Sequence, residues 1–300
     1  MNFALTTKNS SSVNTNPKRE VDLVVISDLH LGTYGSRAEE LNAYLKTIKP
    51  KTLILNGDII DIWQFNKRYF PQSHLKVVKR ITSLVSEGVE VYYITGNHDE
   101  MLRKFKGFKV GSFQIVNKVI LELDGKKTWF FHGDVFDVTM KHSKWLAKLG
   151  GKGYDLLILI NTMVNWIISR FGGEKLSFSK KIKDNVKSAV KFINNFEEIV
   201  AEIAAEQGFH AAVCGHIHQP ATKILTTKES QVLYLNSGDW VENCTSLEYH
   251  NGSWKLYRFS EDHEANNNLK NDLDLEYSIP NNKELFGELL KEFSLNHLST

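Results

Sequence analysis

The side chains that could do chemistry are acids, one amide and histidines standing beside glycine in five separate segments. They are Asp28 and His30 in Asp-Leu-His-Leu-Gly, Asp58 in Gly-Asp, Asn97 in Gly-Asn-His-Asp, His132 in His-Gly-Asp, and His216 and His218 in Gly-His-Ile-His. This mixture of oxygen and imidazole donors suits borderline-hard divalent cations, namely Mn²⁺, Fe²⁺, Zn²⁺ or Co²⁺, better than a soft thiolate site would. A carboxylate can bridge two cations, so sharing Asp58 gives about four protein ligands per ion and leaves room for water and substrate.

Each of these segments follows a short apolar run that predicts a buried strand. The runs are residues 21–27, 53–55, 89–95, 127–131 and 209–214. In α/β sheets, ligands gather beyond the carboxyl ends of the strands, even when the residues are far apart in sequence. The spacing therefore predicts that the five segments converge on one site.

The order of elements predicts the fold class α/β. Helical periodicity over residues 36–48 and 75–85 alternates with the first three strands, and this β-α-β-α-β order favours parallel pairing with right-handed crossovers. The second half favours hairpins, at 118–123 with 127–131, 221–226 with 231–236, and 246–250 with 254–259. Two sheets packed face to face, with helices outside, accommodate both halves.

The chain divides into a polar tail at 1–20, a main domain at 21–260 and a second tail at 261–300. Three helices, at 138–149, 154–171 and 178–207, are expected to form a helical insert at about 138–207 in the main domain. The second tail is polar and rich in asparagine, so we expect it to be mostly disordered, with one short helix near 285–293.

Composition and charge exclude several classes of protein. The 300 residues are 42% hydrophobic and 24% charged, with a net charge of +2, which does not predict a nucleic-acid partner. Two cysteines, Cys214 and Cys244, are too few for a disulfide framework and are typical of a reducing cytosol. Residues 1–16 lack the apolar core of a signal peptide, and no run of eighteen apolar residues predicts a spanning helix. We therefore expect a cytoplasmic location.

The five segments, in this order over about residues 21–240, resemble the signatures of the calcineurin-like metallophosphoesterase superfamily. The resemblance implies a four-layer α/β/β/α sandwich with a helical insert, and two divalent metal ions, with Mn²⁺ the expected one. One metal would be held by Asp28, His30, Asp58 and His218, and the other by Asp58, Asn97, His132 and His216. A hydroxide bridging the two metals would attack phosphorus.

The same resemblance assigns catalytic roles to His98 and Asp99. His98 would contact the phosphate and protonate or orient the leaving group, while Asp99 would fix its tautomer. Asp61 and Asp134, from their positions alone, either orient metal-bound histidines or serve as ordinary caps.

The insert bears on the substrate. Residues 154–171 form an apolar stretch with a narrow polar stripe, flanked by lysines. A helix of this type either lies on a membrane surface or walls an acyl pocket, or else packs against a neighbouring helix or a dimer partner. The flanking lysines alone are more typical of a solvated face.

The phrases Ser-Asp-Leu-His-Leu-Gly, Gly-Asp-Ile-Ile-Asp-Ile-Trp and Gly-His-Ile-His-Gln-Pro resemble the UDP-2,3-diacylglucosamine diphosphatases of lipid A synthesis, in a branch with Gly-Asn-His-Asp. The best-known branch carries Arg where this chain has His98. The resemblance implies cleavage of that lipid-linked nucleotide sugar to UMP and 2,3-diacylglucosamine 1-phosphate, at the inner face of the inner membrane. The expected substrate-binding residues are Asn97, His98, Lys183, Asn185 and Lys187.

Three rival interpretations stay open. The first is a metallophosphoesterase with a different phosphodiester or nucleotide-pyrophosphate substrate. The second is a binding module of this fold that has lost its metals, although such a module usually lacks ligands that this chain retains. The third is a nuclease of the same superfamily, which the near-neutral charge disfavours.

Overall fold

The structure, a computed structural model, describes residues 17–62, 69–136 and 180–278, with side chains over 17–62, 69–136 and 192–272. The predicted helices at 138–149, 154–171 and 285–293 lie outside these ranges, as do residues 1–16. The side chains of Lys183, Asn185 and Lys187 also lie outside the described residues.

Twelve strands and four α-helices make up the described chain. The strands are β1 Arg19–Ile26, β2 Ile48–Asn56, β3 Glu90–Ile94, β4 Lys109–Val110, β5 Phe113–Val116, β6 Lys118–Leu123, β7 Lys126–Phe131, β8 Ala211–Cys214, β9 Ala221–Thr226, β10 Gln231–Asn236, β11 Thr245–His250 and β12 Ser253–Arg258. The helices are α1 Ala38–Thr47, α2 Gln72–Ser86, α3 Lys180–Glu206 and α4 His263–Ser278. Short 3-10 turns occupy Glu100–Phe105, Asp134–Phe136 and Phe259–Glu261.

The strands form two sheets. The first has seven strands in the order β12-β11-β1-β2-β3-β5-β4, and its neighbours β1, β2, β3 and β5 are parallel. The second has five strands in the order β6-β7-β8-β10-β9, with β7, β8 and β10 parallel. The parallel strands of each sheet end at the edge where the acids and histidines follow.

Three apolar layers hold the sheets and helices together. The layer between the sheets contains Val25 and Ile54 from one sheet and Phe130, Val213 and Leu235 from the other, all almost fully buried. A second layer joins α1, α2 and α4 to the seven-stranded sheet, and a third joins α3 to the five-stranded sheet. The predicted α/β/β/α sandwich is confirmed.

Apolar residues at helical spacing explain why α1 and α2 form where they do. In α1 the buried side chains include Leu41, Tyr44 and Leu45, and in α2 they include Val77, Ile81 and Leu84. Spacings of three and four residues place each set on one face of its helix, which packs on the seven-stranded sheet. Both helices occupy the stretches that periodicity predicts, within a few residues at each end.

Two elements lie partly or wholly inside the stretches predicted as tails. Strand β1 begins at Arg19, inside the predicted N-terminal tail, where Arg19 pairs with Glu248. The prediction of a mostly disordered C-terminal tail is wrong for α4, since Ala265 is buried and Leu269 packs against the core. Asp262 accepts the Ala265 N–H at 3.0 Å and so caps the helix start. Two apolar residues in a polar sequence are too weak a pattern to predict this helix. It is stabilised by packing of Ala265 and Leu269 against the core.

Within the described ranges, no helix has both the length and the apolar character needed to cross a bilayer.

Candidate metal centre

The loops after β1 and β2 are joined by main-chain hydrogen bonds. The Asp28 N–H donates to the Gly57 carbonyl and the His30 N–H donates to the Asp58 carbonyl, each at 3.0 Å. A parallel bridge between Leu31 and Ile60 continues the pairing beyond the strands. These bonds fix Asp28, His30 and Asp58 relative to one another.

Five of the predicted ligands adopt left-handed backbone conformations, with φ of 53° at Asp28, 47° at His30, 53° at Asp58, 66° at His216 and 51° at His218. Each such residue costs roughly 1–2 kcal/mol relative to ordinary backbone. Among the described residues only three other non-glycines share this conformation, namely Asp124, Cys244 and Asn251. Strained backbone is therefore concentrated at this site.

The structure brings the predicted ligands into two groups. In the first, Asp28, His30 and His218 have donor atoms within 4.8 Å of one another, and His218 Nε2 lies 3.2 Å from Asp28 Oδ1. In the second, Asp58, His132 and His216 meet the same limit, and His132 Nε2 lies 3.2 Å from Asp58 Oδ2. Each group combines one carboxylate with two imidazoles, a donor set that could hold a divalent cation.

Buried atoms lacking hydrogen bonds test whether these residues fit a cation. Asn97 Oδ1, Asp28 Oδ1 and His132 Nε2 are buried and make no well-formed hydrogen bond to a described residue, although His218 Nε2 and Asp58 Oδ2 lie 3.2 Å from the second and third of these atoms. Buried polar atoms are normally satisfied, so three such atoms at one site need a common explanation. His132 Nδ1 lies 2.8 Å from the Asn56 carbonyl, which can only accept, so Nδ1 carries the proton and Nε2 is left as the donor to a metal. The residues fit metal binding.

The histidines set the charge state of the two acids. Burial raises the pKa of Asp28, but the neighbouring His218 imidazole outweighs it and holds that pKa below its ordinary value. Burial also raises the pKa of Asp58, but the neighbouring His132 outweighs this effect and holds the pKa of that carboxyl well below its usual range. Both acids are therefore ionised, as metal ligands must be.

Three glycines allow these groups to approach closely. A Cβ on Gly57 would lie 2.2 Å from His132 Nδ1, one on Gly96 would lie 2.2 Å from Asp58 Oδ1, and one on Gly215 would lie 2.6 Å from Asp28 Oδ2. No side chain fits at such distances. The glycines of the sequence segments thus make room for the ligands.

His98 stands at the edge of the site, with a side chain 22% exposed. Its ring centroid is 4.6 Å from that of His30. The main-chain N–H of His98 donates to Asp58 Oδ1 at 2.8 Å. Its Nδ1 lies 2.8 Å from Asp61 Oδ2, and the same oxygen lies 3.4 Å from His30 Nδ1. Burial lowers the pKa of His98, but Asp61 and the other nearby acids raise it above its ordinary value.

The predicted role of Asp99 is wrong, because Asp61 is the residue that holds His98. Asp99 is fully buried and accepts hydrogen bonds from the Ile59 N–H at 2.9 Å, the Gly96 N–H at 2.6 Å and the Tyr93 hydroxyl at 2.6 Å. It ties the loops after β2 and β3 together. Both residues follow a strand end by a few positions, so sequence alone does not distinguish them.

The position of Asp134 differs from the predicted one, and Asp239 is a residue of the site that the sequence analysis does not predict. Asp134 pairs with Arg103 rather than with a histidine. Asp239, which sequence reasoning missed, is fully buried, lies 3.9 Å from His218 Nδ1 and accepts the Val241 N–H at 2.8 Å. Gly238-Asp239 follows β10 as Gly57-Asp58 follows β2. This repeated pattern is the feature of the sequence that could have identified Asp239.

Comparison with known proteins decides the family. The model of the calcineurin-like phosphoesterase family matches residues 21–220. This chain belongs to the calcineurin-like phosphoesterase family. It is accordingly a metal-dependent phosphoesterase, and the two ligand groups lie within the matched region.

Relatives within this family include several proteins named UDP-2,3-diacylglucosamine hydrolase. The one from Aliivibrio fischeri is 23% identical over 79% of this chain and 98% of its own. The one from Stutzerimonas stutzeri is 23% identical over 73% of this chain and 90% of its own. The one from Porphyromonas gingivalis is 31% identical, but over only 36% of this chain and 44% of its own. Among solved structures, a phosphoesterase from E. coli covers 80% of this chain and 93% of its own at 15% identity, with a TM-score of 0.39.

Proposed function

We propose that this phosphoesterase hydrolyses UDP-2,3-diacylglucosamine to UMP and 2,3-diacylglucosamine 1-phosphate. The observation that carries the substrate class is the relatives' shared name, together with the extent of the match, which reaches 98% of the Aliivibrio fischeri protein. Water adds across one phosphorus–oxygen bond of the pyrophosphate, so that each product keeps one phosphate.

The proposed metal ligands are Asp28, His30, Asp58 and His218 for one ion, and Asp58, Asn97, His132 and His216 for the other. Support comes from their two groups, the unsatisfied buried atoms and the ionised acids. When bound, two divalent cations supply Lewis acidity, which promotes ionisation of water and offsets charge at the phosphorus. We propose Mn²⁺ as the ion, with Fe²⁺, Zn²⁺ and Co²⁺ as alternatives that fit the same donors.

His98 is the proposed acid. Because Asp61 engages its Nδ1, Nε2 is the nitrogen left to hold a proton for the departing phosphate oxygen. Asp61 and the other nearby acids raise the pKa of His98, which favours the protonated ring that this task requires. Asn97 adjoins His98 and would contact the same phosphate. Lys183, Asn185 and Lys187 are proposed contacts to the head group.

A diacyl substrate resides in a bilayer, so we propose a cytoplasmic protein bound peripherally to the inner membrane. The near-neutral charge supports the absence of a nucleic-acid partner. A homodimer is proposed as the assembly, with the helical insert as the surface to test.

The test is an assay of the purified chain with Mn²⁺ on UDP-2,3-diacylglucosamine in detergent micelles, following UMP release. Bis-p-nitrophenyl phosphate and a nucleotide sugar without acyl chains serve as comparison substrates. We expect kcat/KM to favour the diacyl substrate by at least about 100-fold, since acyl binding contributes several kcal/mol. Cleavage of the generic diester with no UMP release would instead support a phosphodiesterase with another substrate. Parallel assays with Fe²⁺, Zn²⁺ and Co²⁺ would test the choice of ion.

A further inference from the structure

Exposed apolar side chains concentrate in one short stretch next to the metal centre. Met101, Phe105, Phe108 and Val110 are 50–57% exposed. They are four of the ten large apolar residues that are exposed in the part of the chain the structure describes, and they fall within ten consecutive positions. Such clustering on a protein surface marks a contact site.

The stretch, called here the 101–110 segment, is attached directly to the site. It begins three residues after His98, and Arg103 connects it to two of the ligand-bearing loops. Arg103 Nη2 donates to the Gly96 carbonyl at 3.4 Å and to Asp134 Oδ2 at 2.5 Å. Gly96 precedes Asn97, and Asp134 follows His132-Gly133. Val135, which is 58% exposed, adds a fifth apolar side chain in the turn that this ion pair holds.

The segment is also a concentration of positive charge. Lys104, Lys106 and Lys109 are exposed, and none forms an ion pair with another described residue. Counting Arg103 and Glu100, residues 100–110 carry a net charge of +3, whereas the whole chain carries +2. Lysines alternating with aromatic residues are typical of surfaces that bind anionic lipid, since the rings enter the interface and the ammonium groups contact phosphates.

The local backbone disfavours a peptide partner that adds a strand. Strand β4 has two residues and pairs with β5 alone, so its free edge offers too few hydrogen bonds for strand addition. The loop is nevertheless well ordered, because Gly107 N–H donates to the Ile115 carbonyl at 2.9 Å and Ile115 N–H donates to the Phe108 carbonyl at 3.0 Å. A fixed apolar surface with free lysines suits a bilayer.

We propose that the 101–110 segment docks the enzyme on an anionic lipid bilayer and so presents the metal centre to the membrane surface. The inference rests on the proposed lipid-linked substrate, because only such a substrate requires the site to face a bilayer. The segment is separate in sequence from the helical insert. The proposal therefore places a membrane contact in the described part of the chain.

The test is cosedimentation of the full, Mn²⁺-loaded chain with substrate-free vesicles. Vesicles of phosphatidylcholine alone are compared with vesicles containing about one-third phosphatidylglycerol, whose charge attracts lysines. The first variant is Phe105→Ser with Phe108→Ser, and its control is Ile224→Ser, which removes a side chain 67% exposed on β9. The second variant is Lys104→Glu with Lys109→Glu, and its control is Lys228→Glu with Lys255→Glu, two exposed lysines elsewhere.

We expect each segment variant to weaken partitioning into anionic vesicles by about tenfold or more, while its control stays within about twofold of the parent. Hydrolysis of bis-p-nitrophenyl phosphate should be unchanged in all four, which shows that the site is folded. Parent protein that ignores vesicles, or segment variants that bind like the parent, would overturn the proposal. Normal vesicle binding without UMP release would overturn the proposed substrate and leave the docking surface standing.

Discussion

The two sheets supply different chemistry to the same site. Loops after β1, β2 and β3 of the seven-stranded sheet provide both predicted acidic ligands, Asp28 and Asp58, together with Asn97 and His98. Loops after β7 and β8 of the five-stranded sheet provide only histidines, His132, His216 and His218. One sheet therefore brings the carboxylates, and the other brings most of the imidazoles.

This division means that neither sheet can form the centre alone. Hydrogen bonds cross between them at the site, where His132 Nδ1 donates to the Asn56 carbonyl at 2.8 Å and the His216 N–H donates to Asp28 Oδ2 at 3.1 Å. Each metal group takes its carboxylate from one sheet and at least one imidazole from the other. Packing of the apolar layer between the sheets is thus a condition for metal binding.

The strongest test of the acidic side is Asp58→Ala. Because Asp58 is proposed to bridge both ions, bound metal should fall from about two ions per chain towards zero, and activity should fall to background. Elemental analysis of the purified variant measures this. Asp22→Ala, in the N-terminal half of β1, is the control and should keep full metal. Retention of both ions in Asp58→Ala would refute the bridging role.

His98→Ala should separate catalysis from metal binding on the same sheet. We expect metal content and folding to be kept while kcat falls by roughly 10²–10⁴-fold, because the proposed proton donor is lost. Asp61→Asn should cost less, roughly 10–100-fold, since the His98 ring remains although the carboxylate that orients it and raises its pKa is lost. His250→Ala, far from the site, is the matched control. Metal loss in His98→Ala would reassign this histidine as a ligand.

Gly215→Ala should disturb the first metal group more than the second. The new Cβ would lie 2.6 Å from Asp28 Oδ2, so the first group should bind its ion about tenfold more weakly or worse. The atoms nearest to the new methyl belong to Asp28 and Ser27, so the larger effect is expected on the first group. Gly88→Ala is the control, since its Cβ meets nothing within 4 Å and only its φ of +87° is unfavourable. Metal titration followed by calorimetry would show one weakened site, and equal weakening of both would contradict the two-group division.

The smallest expected effect concerns the free energy of unfolding and His74, on helix α2 beside the seven-stranded sheet. The Gly32 N–H donates to His74 Nδ1 at 2.9 Å, and burial lowers the pKa of His74 to about 4. Between the unfolded pKa near 6.5 and this value, the unfolded chain binds more protons, so the free energy of unfolding must fall as pH drops through this window. The loss should be on the order of 1–3 kcal/mol by pH 4.

His74→Asn should reduce this pH dependence, because asparagine Oδ1 takes the place of Nδ1 as the acceptor for the Gly32 N–H and does not titrate. Urea unfolding of metal-free parent and variant at pH 7, 6 and 5 measures the difference. All other side chains are the same in both proteins, so the comparison isolates His74. Equal slopes in the two proteins would show that His74 does not carry the effect.

The sequence predicts the strands and hairpins well where local signals are strong. Asp124-Gly125 and Asn251-Gly252 mark turns whose residues do have positive φ, and the adjoining strands β6, β7, β11 and β12 lie within a few residues of their predicted bounds. Helix α4 and strands β4 and β5 escape prediction because tertiary contacts, rather than composition, stabilise them.

Within the site, the sequence predicts which residues lie at this edge of the sheets. It does not predict which of two nearby carboxylates contacts a given histidine. The convergence of Asp58 with His132 follows from strand order, since parallel strands end together. The choice of Asp61 over Asp99 as the partner of His98 does not follow, because it depends on which carboxylate the turn after β2 directs towards the ring. Asp239 was overlooked although it stands in the same local pattern.

The left-handed backbone at five proposed ligands has a consequence for heat tolerance. Those conformations make the ion-free protein less stable than its packing alone would allow. Ion binding offsets that deficit through mass action, so the melting temperature should track cation concentration. Replacing Asp28 or Asp58 by glycine would relieve that backbone strain but would remove a proposed metal ligand, so the melting temperature of the variant should respond less to added cations than that of the parent.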